Sequence, residues 1–338
     1  MFSLLEKTLY VADLDLWIDS MRPRGRCYVS HGHADHARPH DVVVTSVNNA
    51  RVCALRFGRR TAKGDEPLFG NAATREIVFE THAYNESWRH GEHELTLFSA
   101  GHVLGSAQLL IEGERGRFVY TGDFKLEHSY TAEPPEVKAC DTVLMECTYG
   151  RPQYVFPPRA EVAGAMVAWA KKALEDGAVP IFFAYSLGKA QEAMAILGNG
   201  GIPLAAHGAV ASMARVYEDA GVALPPYERY DATTFDGRRA LVWPPSGRAL
   251  PTAVRGKAVR TAALTGWVLG KGTNFRSRTD AGFPLSDHAD YPSLLRYVEL
   301  AKPKKVLLNH GGREFVGRLR KLGVDAEYLE ANAQLALF

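Results

Sequence analysis

Four histidines and an aspartate crowd into Ser30-His31-Gly32-His33-Ala34-Asp35-His36-Ala37-Arg38-Pro39-His40, directly behind the strand-like run Arg26-Cys27-Tyr28-Val29. The chain holds 12 histidines in 338 residues, so a third of them stand in this one stretch. Imidazole and carboxylate at that density suit Zn²⁺ or Mn²⁺. In an extended segment, residues two apart point the same way, so His31 and His33 can converge on one ion. The chain then turns and offers Asp35 and His36 to a second ion nearby. One loop cannot close two metal sites, so the fold must carry distant segments to it. Two segments qualify. "SAGHVLGSA" offers His102 behind a strand, between Gly101 and Gly105, which permit close backbone approach. "YTGDFK" offers Asp123 behind another strand, again preceded by glycine.

The rest of the chain falls into three textures. Through residue 150 it reads as short strands and turns: "RCYVS", "DVVVTS", "REIVFE", "ELTLFSA", "AQLLIE", "RFVYTGD" and "DTVLMECTYG". Many short strands predict two packed sheets. Residues 160–176 then place apolar side chains at helical spacing, followed by the buried-strand pattern "VPIFFAYS" and the helical "LGKAQEAMAIL". This alternation, continuing through "GIPLAAHG", "ASMARVYEDAG" and "ALVWPP", predicts a parallel α/β unit. From about 280 a third stretch brings two more conspicuous histidines, His288 and His310.

Composition narrows the classes. The net charge of +2 is too low for a protein that coats polyanions generally, so any nucleic-acid contact must come from local patches. Candidates are Arg22–Arg26, Arg56–Lys63 and Lys271–Arg278. No apolar run is long enough to span a bilayer, and the first twenty residues lack a signal-peptide layout. The expectation is a cytoplasmic protein with no membrane contact. Cys27, Cys53, Cys140 and Cys147 show no CxxC spacing and read as buried free thiols.

"HGHADH", then "GHVLGSA", then "TGD" together resemble the metallo-β-lactamase superfamily. That resemblance implies an α/β fold, an αββα sandwich with a dinuclear site. It implies that His31, His33 and His102 bind one ion, Asp35 and His36 the other, and that Asp123 bridges them. "LMECTYG", "PLSDHADY" and "LLNHGG" resemble motifs A, B and C of the β-CASP nucleases and place Glu146, His288 and His310 in them. The implied organisation is a metallo-β-lactamase domain over 1–150, an inserted β-CASP α/β domain over 151–280, and a return segment over 281–338. A histidine in motif C is similar to the RNA-acting branch, the RNase J and 3′-end-processing enzymes. "AGHVLGSAQ", "FAYSLGKAQ" and "LSDHADY" look closest to the bacterial ligase-associated DNA exonucleases.

The resemblance implies a two-metal phosphodiester hydrolase, with single-stranded nucleic acid lying between sandwich and insertion. A DNA-repair 5′ exonuclease is the first reading, associated with a DNA ligase and a helicase; an RNA-processing nuclease is the second. Phosphodiester hydrolysis needs a nucleophile, charge neutralisation and a protonated leaving group, and two divalent ions, Zn or Mn, supply the first two. Asp123 sets the spacing of the ions and His310 completes the second site. His288 is the candidate general acid because imidazole titrates near neutrality, with Glu146 orienting it. Asp287 and Asp290 flank His288 and are further carboxylates near it. Tyr185, Ser186 and Lys189, where a strand meets a helix, offer N–H groups, a hydroxyl and an ammonium to a substrate phosphate. Trp267 is a candidate for stacking on a base. A small-molecule hydrolase of the same fold predicts neither the insertion nor the motif B histidine. A catalytically dead scaffold predicts lost metal ligands, and none is lost here. His40, His82, His90, His93, His128 and His207 fit no motif and read as structural or surface residues.

Overall fold

The computed structural model describes residues 2–5, 8–58, 76–245, 251, 254, 256–270, 279–329 and 334–335. Of the basic stretches, 59–63 and all of 271–278 lie outside these residues. The chain divides into two compact units, Met1–Pro152 with His288–Phe338, and Gln153–Asp287.

In the first unit the chain opens with strands β1 (Phe2–Leu5), β2 (Thr8–Val11), β3 (Leu16–Ile18), β4 (Arg26–Tyr28) and β5 (Val42–Ser46). Helix α1 (Val47–Arg56) and β6 (Val78–His82) follow. Next come β7 (Ser87–His90), β8 (His93–Ser99), β9 (Ala107–Gly113), β10 (Gly116–Tyr120) and β11 (Thr142–Cys147). The second unit holds α2 (Arg159–Glu175), β12 (Val179–Phe183), α3 (Lys189–Asn199), β13 (Leu204–Ala206), α4 (Gly208–Asp219), β14 (Glu228–Arg229), β15 (Ala240–Trp243), β16 (Val259–Leu264) and β17 (Ala281–Phe283). The chain then returns to the first unit with α5 (Tyr291–Ala301), β18 (Lys305–Gly311), α6 (Glu314–Lys321), β19 (Asp325–Tyr328) and β20 (Gln334–Leu335).

The first unit is a sandwich of two seven-stranded sheets, ordered β20-β1-β2-β3-β4-β5-β6 and β19-β18-β11-β10-β9-β8-β7. Strand alternation explains the layering, because successive side chains leave opposite faces. On β5, Val44 points into the space between the sheets and Val43 points out towards α1. On β9, Leu109 and Ile111 face inward, whereas Leu110 faces the helices α5 and α6. The inner layer joins Leu9, Val11, Leu16 and Ile18 of one sheet to Leu95, Leu97, Phe118 and Leu307 of the other. Helix α1 covers one outer face through Cys53, and α5 and α6 cover the other through Leu294, Tyr297, Phe315 and Leu319. The result is the expected αββα order. The strand pattern of the first 150 residues did not announce α1, which starts where Ser46 caps it by accepting from Asn49 N–H (3.1 Å).

The second unit is a six-stranded sheet, β14-β13-β15-β12-β16-β17, in which every pairing is parallel. Its helices bury Met166, Ala193, Met194, Leu197 and Val210 against Phe182, Val242 and Leu264. The return segment expected from 281 begins later. Strand β17 pairs with β16 (Ala262↔Ala281, Leu264↔Phe283), so its backbone hydrogen bonds keep 281–287 in the second unit. Among the described residues no helix is long and apolar enough to cross a membrane.

Candidate metal centre

His31, His33 and His36 follow β4, His102 follows β8 and Asp123 follows β10, while Glu146 and His310 lie near the ends of β11 and β18 and His288 lies between β17 and α5. The stretch behind β4 is not extended. His36 N–H and Ala37 N–H both donate to His33 O (3.1 and 2.8 Å), which folds 33–37 into a turn. His31 and His33 still converge, through a bend rather than through strand alternation, with their rings edge to face at 4.9 Å. Asp123 enters behind β10 past Gly122, whose backbone lies at φ +56°; a Cβ there would meet Ser30 at 2.7 Å. That close approach is why the position needs glycine.

Three sets of ligand-type atoms result, each with its members within 4.8 Å of one another: His31, His33, His102 and Asp123; His36, Asp123 and His310; and Asp123, Glu146 and His288. Asp123 belongs to all three. In the first, His33 Nδ1 lies 3.0 Å from His102 Nε2, and Asp123 Oδ2 lies 3.5 Å from His31 Nε2 and 3.9 Å from His102 Nε2. Ligand atoms tetrahedrally placed around Zn²⁺ at about 2.0–2.2 Å stand about 3.3–3.6 Å apart, so the spacing matches. In the second, His36 Nε2 is 3.5 Å from Asp123 Oδ2, and the His36 and His310 rings stack at 4.8 Å. His310 adopts φ +47°, and the next residue, Gly311, is pressed so closely on Cys147 O that a Cβ would lie 2.0 Å from it.

Asp19 orients the ligands, and nothing in the sequence pattern singled it out. Its carboxylate accepts from Ser30 N–H (2.7 Å), Ser30 Oγ (2.5 Å), His36 Nδ1 (2.7 Å) and Tyr120 OH (2.8 Å). With the Ser30 hydroxyl proton spent on Asp19, Ser30 Oγ accepts from His31 Nδ1 (3.0 Å). Both rings thereby commit Nδ1 and turn Nε2 towards the centre, the arrangement that prepares histidine to bind a metal. The only available signal was an acidic residue at the end of the strand-like "LWID", which is too common to mean anything alone.

His31 Nε2, His36 Nε2 and Asp123 Oδ1 are buried and make no hydrogen bond. Buried acceptors aimed at one another are costly unless something electropositive lies between them. Burial, with the neighbouring histidines, holds His31 well below the ordinary imidazole range. Burial alone would also lower His36, but Asp123 and Asp19 outweigh it and lift the ring to about 10. Desolvation raises Asp123 against the pull of His36. A divalent cation satisfies the whole set, and an imidazole and carboxylate donor set suits one.

Glu146 is fully buried at the end of β11 and accepts from Phe124 N–H (2.9 Å), Thr148 N–H (3.4 Å) and His288 Nδ1 (2.9 Å to Oε1, 3.0 Å to Oε2). Desolvation pushes its pKa up, but the His288 ring and these donors hold the carboxyl below its ordinary value. Glu146 thus holds the His288 ring through Nδ1. Asp35 is not drawn into any of the three sets; it is exposed, although His36 and His33 hold its carboxyl below the usual range against desolvation. Asp290 caps α5 through Ser293 N–H (2.9 Å), and Asp287 faces Lys189 Nζ (3.7 Å) within the second unit.

Tyr185 is 61% exposed, with Lys189 Nζ 5.0 Å from its ring centre. Lys189 itself is buried. The N–H groups of Gly188, Lys189 and Ala190 already donate to Gln191 Oε1, Leu187 O and Tyr185 O, so the helix start offers fewer donors than expected. Trp267 is partly exposed and edge-on to Tyr154. In the Arg22–Arg26 patch, Arg24 lies over Trp17 (3.6 Å) and Arg26 pairs with Glu80 (2.7 Å). All four cysteines are free and buried, with Cys53, Cys140 and Cys147 pushed up to about 12 by burial.

An αββα sandwich with a His/Asp centre at one end of its sheets defines a divalent-metal-binding protein of the metallo-hydrolase type. Residues 282–333 match the family model described as "Zn-dependent metallo-hydrolase RNA specificity domain". The chain is 39% identical over 331 residues, 97% of its length, to a "Probable DNA ligase" of Opitutus terrae, and covers 31% of that protein. It is 24% identical over 201 residues to the "Probable RNase MJ4" of Methanocaldococcus jannaschii, covering 54% of this chain and 46% of that one. It is 35% identical over 117 residues to the "Cleavage and polyadenylation specificity factor subunit 3" of Dictyostelium discoideum, covering 34% of this chain and 15% of that one. The chain therefore spans less than half the length of these relatives. A crystal structure of a protein of unknown function from Enterococcus faecalis V583 shares the fold, with a TM-score of 0.60, 14% identity, and coverage of 91% of this chain and 80% of that one. The chain belongs to the β-CASP family of the metallo-β-lactamase superfamily.

Proposed function

We propose that this protein is a metal-dependent nuclease holding two divalent ions, Zn or Mn, and that its first substrate is single-stranded DNA attacked from the 5′ end. One observation carries the reading: Asp123 is common to two ligand-type sets and to the Glu146–His288 pair. A single centre then combines charge neutralisation with a proton donor. His31, His33, His102 and Asp123 hold one ion, and His36, Asp123 and His310 the other. Asp35 is the ligand that the family resemblance adds to the second site, and its exposed side chain would have to turn inward to serve. When bound, the ions acidify a water and offset the charge of the phosphoryl oxygens. Asp19 and Ser30 keep the His36 and His31 acceptors aimed. His288 Nε2 protonates the leaving oxygen while Glu146 holds Nδ1, fixing the tautomer and favouring the protonated ring. Of Tyr185, Ser186 and Lys189, the exposed Tyr185 is the side chain best placed for a substrate contact, because Lys189 is buried against Asp287 and the nearby N–H groups are committed.

The DNA choice draws on the relative named as a DNA ligase, and a functional association with a ligase and a helicase goes with it. The RNA alternative draws on the "RNA specificity" description of the matched segment and on the RNase-named relatives. The test is cleavage of 5′-labelled single-stranded DNA and RNA of one sequence with Mn²⁺ or Zn²⁺, wild type beside Asp123→Ala and His288→Ala. DNA cleavage lost in both variants is the expected result, and product size reads exo against endo action. Cleavage of RNA alone moves the protein to the RNA-processing branch. Cleavage of neither, with two ions bound per chain, overturns the nuclease reading.

A further inference from the structure

We propose that Glu133 is a positioning residue for the His102 loop and thereby sets the metal affinity of the His31/His33/His102/Asp123 site. This rests on that set binding an ion as proposed above. The loop between β8 and β9 is closed on itself. His102 N–H and Val103 N–H donate to Ser106 Oγ (3.0 and 3.1 Å), Ser106 N–H donates to Val103 O (2.9 Å), and Ala100 N–H donates to Ser106 O (3.0 Å). A loop stiffened in this way moves as one piece, so His102 is only as well placed as the loop's attachments to the rest of the unit.

Those attachments converge on Gly105. Its backbone lies at φ +73°, and a Cβ there would meet Asn49 N at 2.2 Å, so the peptide sits directly on the start of α1. Ser46 Oγ, the cap of α1, donates to Gly105 O (2.5 Å). From the other side Gly105 N–H is held by both oxygens of Glu133 (2.9 and 3.2 Å), and Asn48 Nδ2 donates to the same carboxylate (3.0 Å). Glu133 therefore ties the His102 loop to α1 with charge-assisted bonds, which are stronger than neutral ones. The same helix reaches the other histidine arm. Asn49 Nδ2 donates to Val29 O (3.1 Å), two residues before His31, and to Thr45 Oγ1 (2.7 Å). Ala107 N–H donates to Ser30 O (2.9 Å). The start of α1 thus fixes the distance between the His31 and His102 arms, and Glu133 is the charged clasp on the His102 side.

Among the described residues, the hydrogen bonds of the Glu133 carboxylate go to Gly105 N–H and Asn48, and those of Gly105 go to Glu133 and Ser46, with none to His36 or His310. Loss of the clasp should therefore weaken one ion and spare the other. The experiment is Zn²⁺ competition against a chromogenic chelator, with elemental analysis of bound zinc and thermal denaturation of the metal-free forms. It compares wild type, Glu133→Ala, Glu133→Gln and the control Glu136→Ala, whose carboxylate accepts from the exposed Asn85 amide (3.0 and 3.1 Å). Glu133→Ala should weaken one of two ions by about tenfold to a hundredfold, the usual effect of removing a group that orients a ligand. Glu133→Gln, keeping one acceptor oxygen, should fall between, and Glu136→Ala should match wild type. Unchanged affinities in Glu133→Ala would overturn the proposal, as would equal weakening of both ions in step with a lower melting temperature. A wild type that binds no zinc would instead overturn the metal-centre reading itself.

Discussion

The two units bury charge in opposite ways. In the first, His31 Nε2, His36 Nε2 and Asp123 Oδ1 are buried side by side and left without hydrogen-bond partners. In the second, buried ions are paired: Arg159 with Glu192 (2.5 Å) and Lys189 with Asp287 (3.7 Å), while Arg159 also reaches Ser286 O (3.5 Å). The second network leaves little for a ligand to complete. The first is complete only when a cation joins it. Histidine usage follows the same division, since His207 is the only histidine between 153 and 287. The centre is marked by three such atoms grouped around Asp123, whereas single orphaned atoms such as Trp243 Nε1 lie elsewhere.

The largest test of the contrast is Asp123→Ala. Removing the carboxylate shared by all three sets should abolish metal-dependent cleavage and lower bound metal per chain, read by elemental analysis; wild-type metal content would break the comparison. Next, His288→Ala should keep its metals but lower kcat on nucleic acid by about 10²–10⁴-fold, the range for a lost general acid. The loss should be much smaller on a nitrophenyl phosphodiester, whose leaving group needs no proton, and an equal loss on both would remove His288 from that role.

The second unit answers through stability instead. Arg159→Met removes the ion partner of the buried Glu192 and should cost about 3–5 kcal/mol in chemical denaturation, whereas Arg159→Met with Glu192→Leu should recover most of it. The smallest effect is expected at His207. Its Nδ1 accepts from Ala209 N–H (3.2 Å) to cap α4, which requires the neutral ring, and burial with Arg229 nearby lowers its pKa. A lowered folded pKa means the unfolded chain takes the proton first. Stability is then full above the ordinary value of about 6.5 and falls as pH drops below it, by about 1 kcal/mol, the usual worth of a cap. His207→Asn should flatten that part of the pH profile, and an unchanged profile would show that the cap does not titrate.

Much of the centre was legible in the sequence because its parts are local. "HGHADH", a Gly-flanked histidine and a Gly-Asp each stand at the end of a strand-like run, and ligand chemistry depends on residue type before geometry. The two packed sheets and the parallel second sheet follow from the many short strands and from the switch between strand and helix periods, whereas the αββα order was implied by the family resemblance. Three things were decided only by tertiary structure. Asp19 reaches Ser30, His36 and Tyr120, which stand 11, 17 and 101 residues away, so no spacing rule could point to it. Asp35, inside the motif, is exposed and joins none of the three ligand-type sets, in a stretch that bends through 33–37 instead of running straight. Lys189 and the N–H groups beside it, read as open to a phosphate, are taken by Asp287, Leu187, Tyr185 and Gln191. The amino-acid order determined which atoms could bind, and long-range packing decided which of them remain free to do so, because burial and hydrogen-bond partners are supplied by residues far away along the chain.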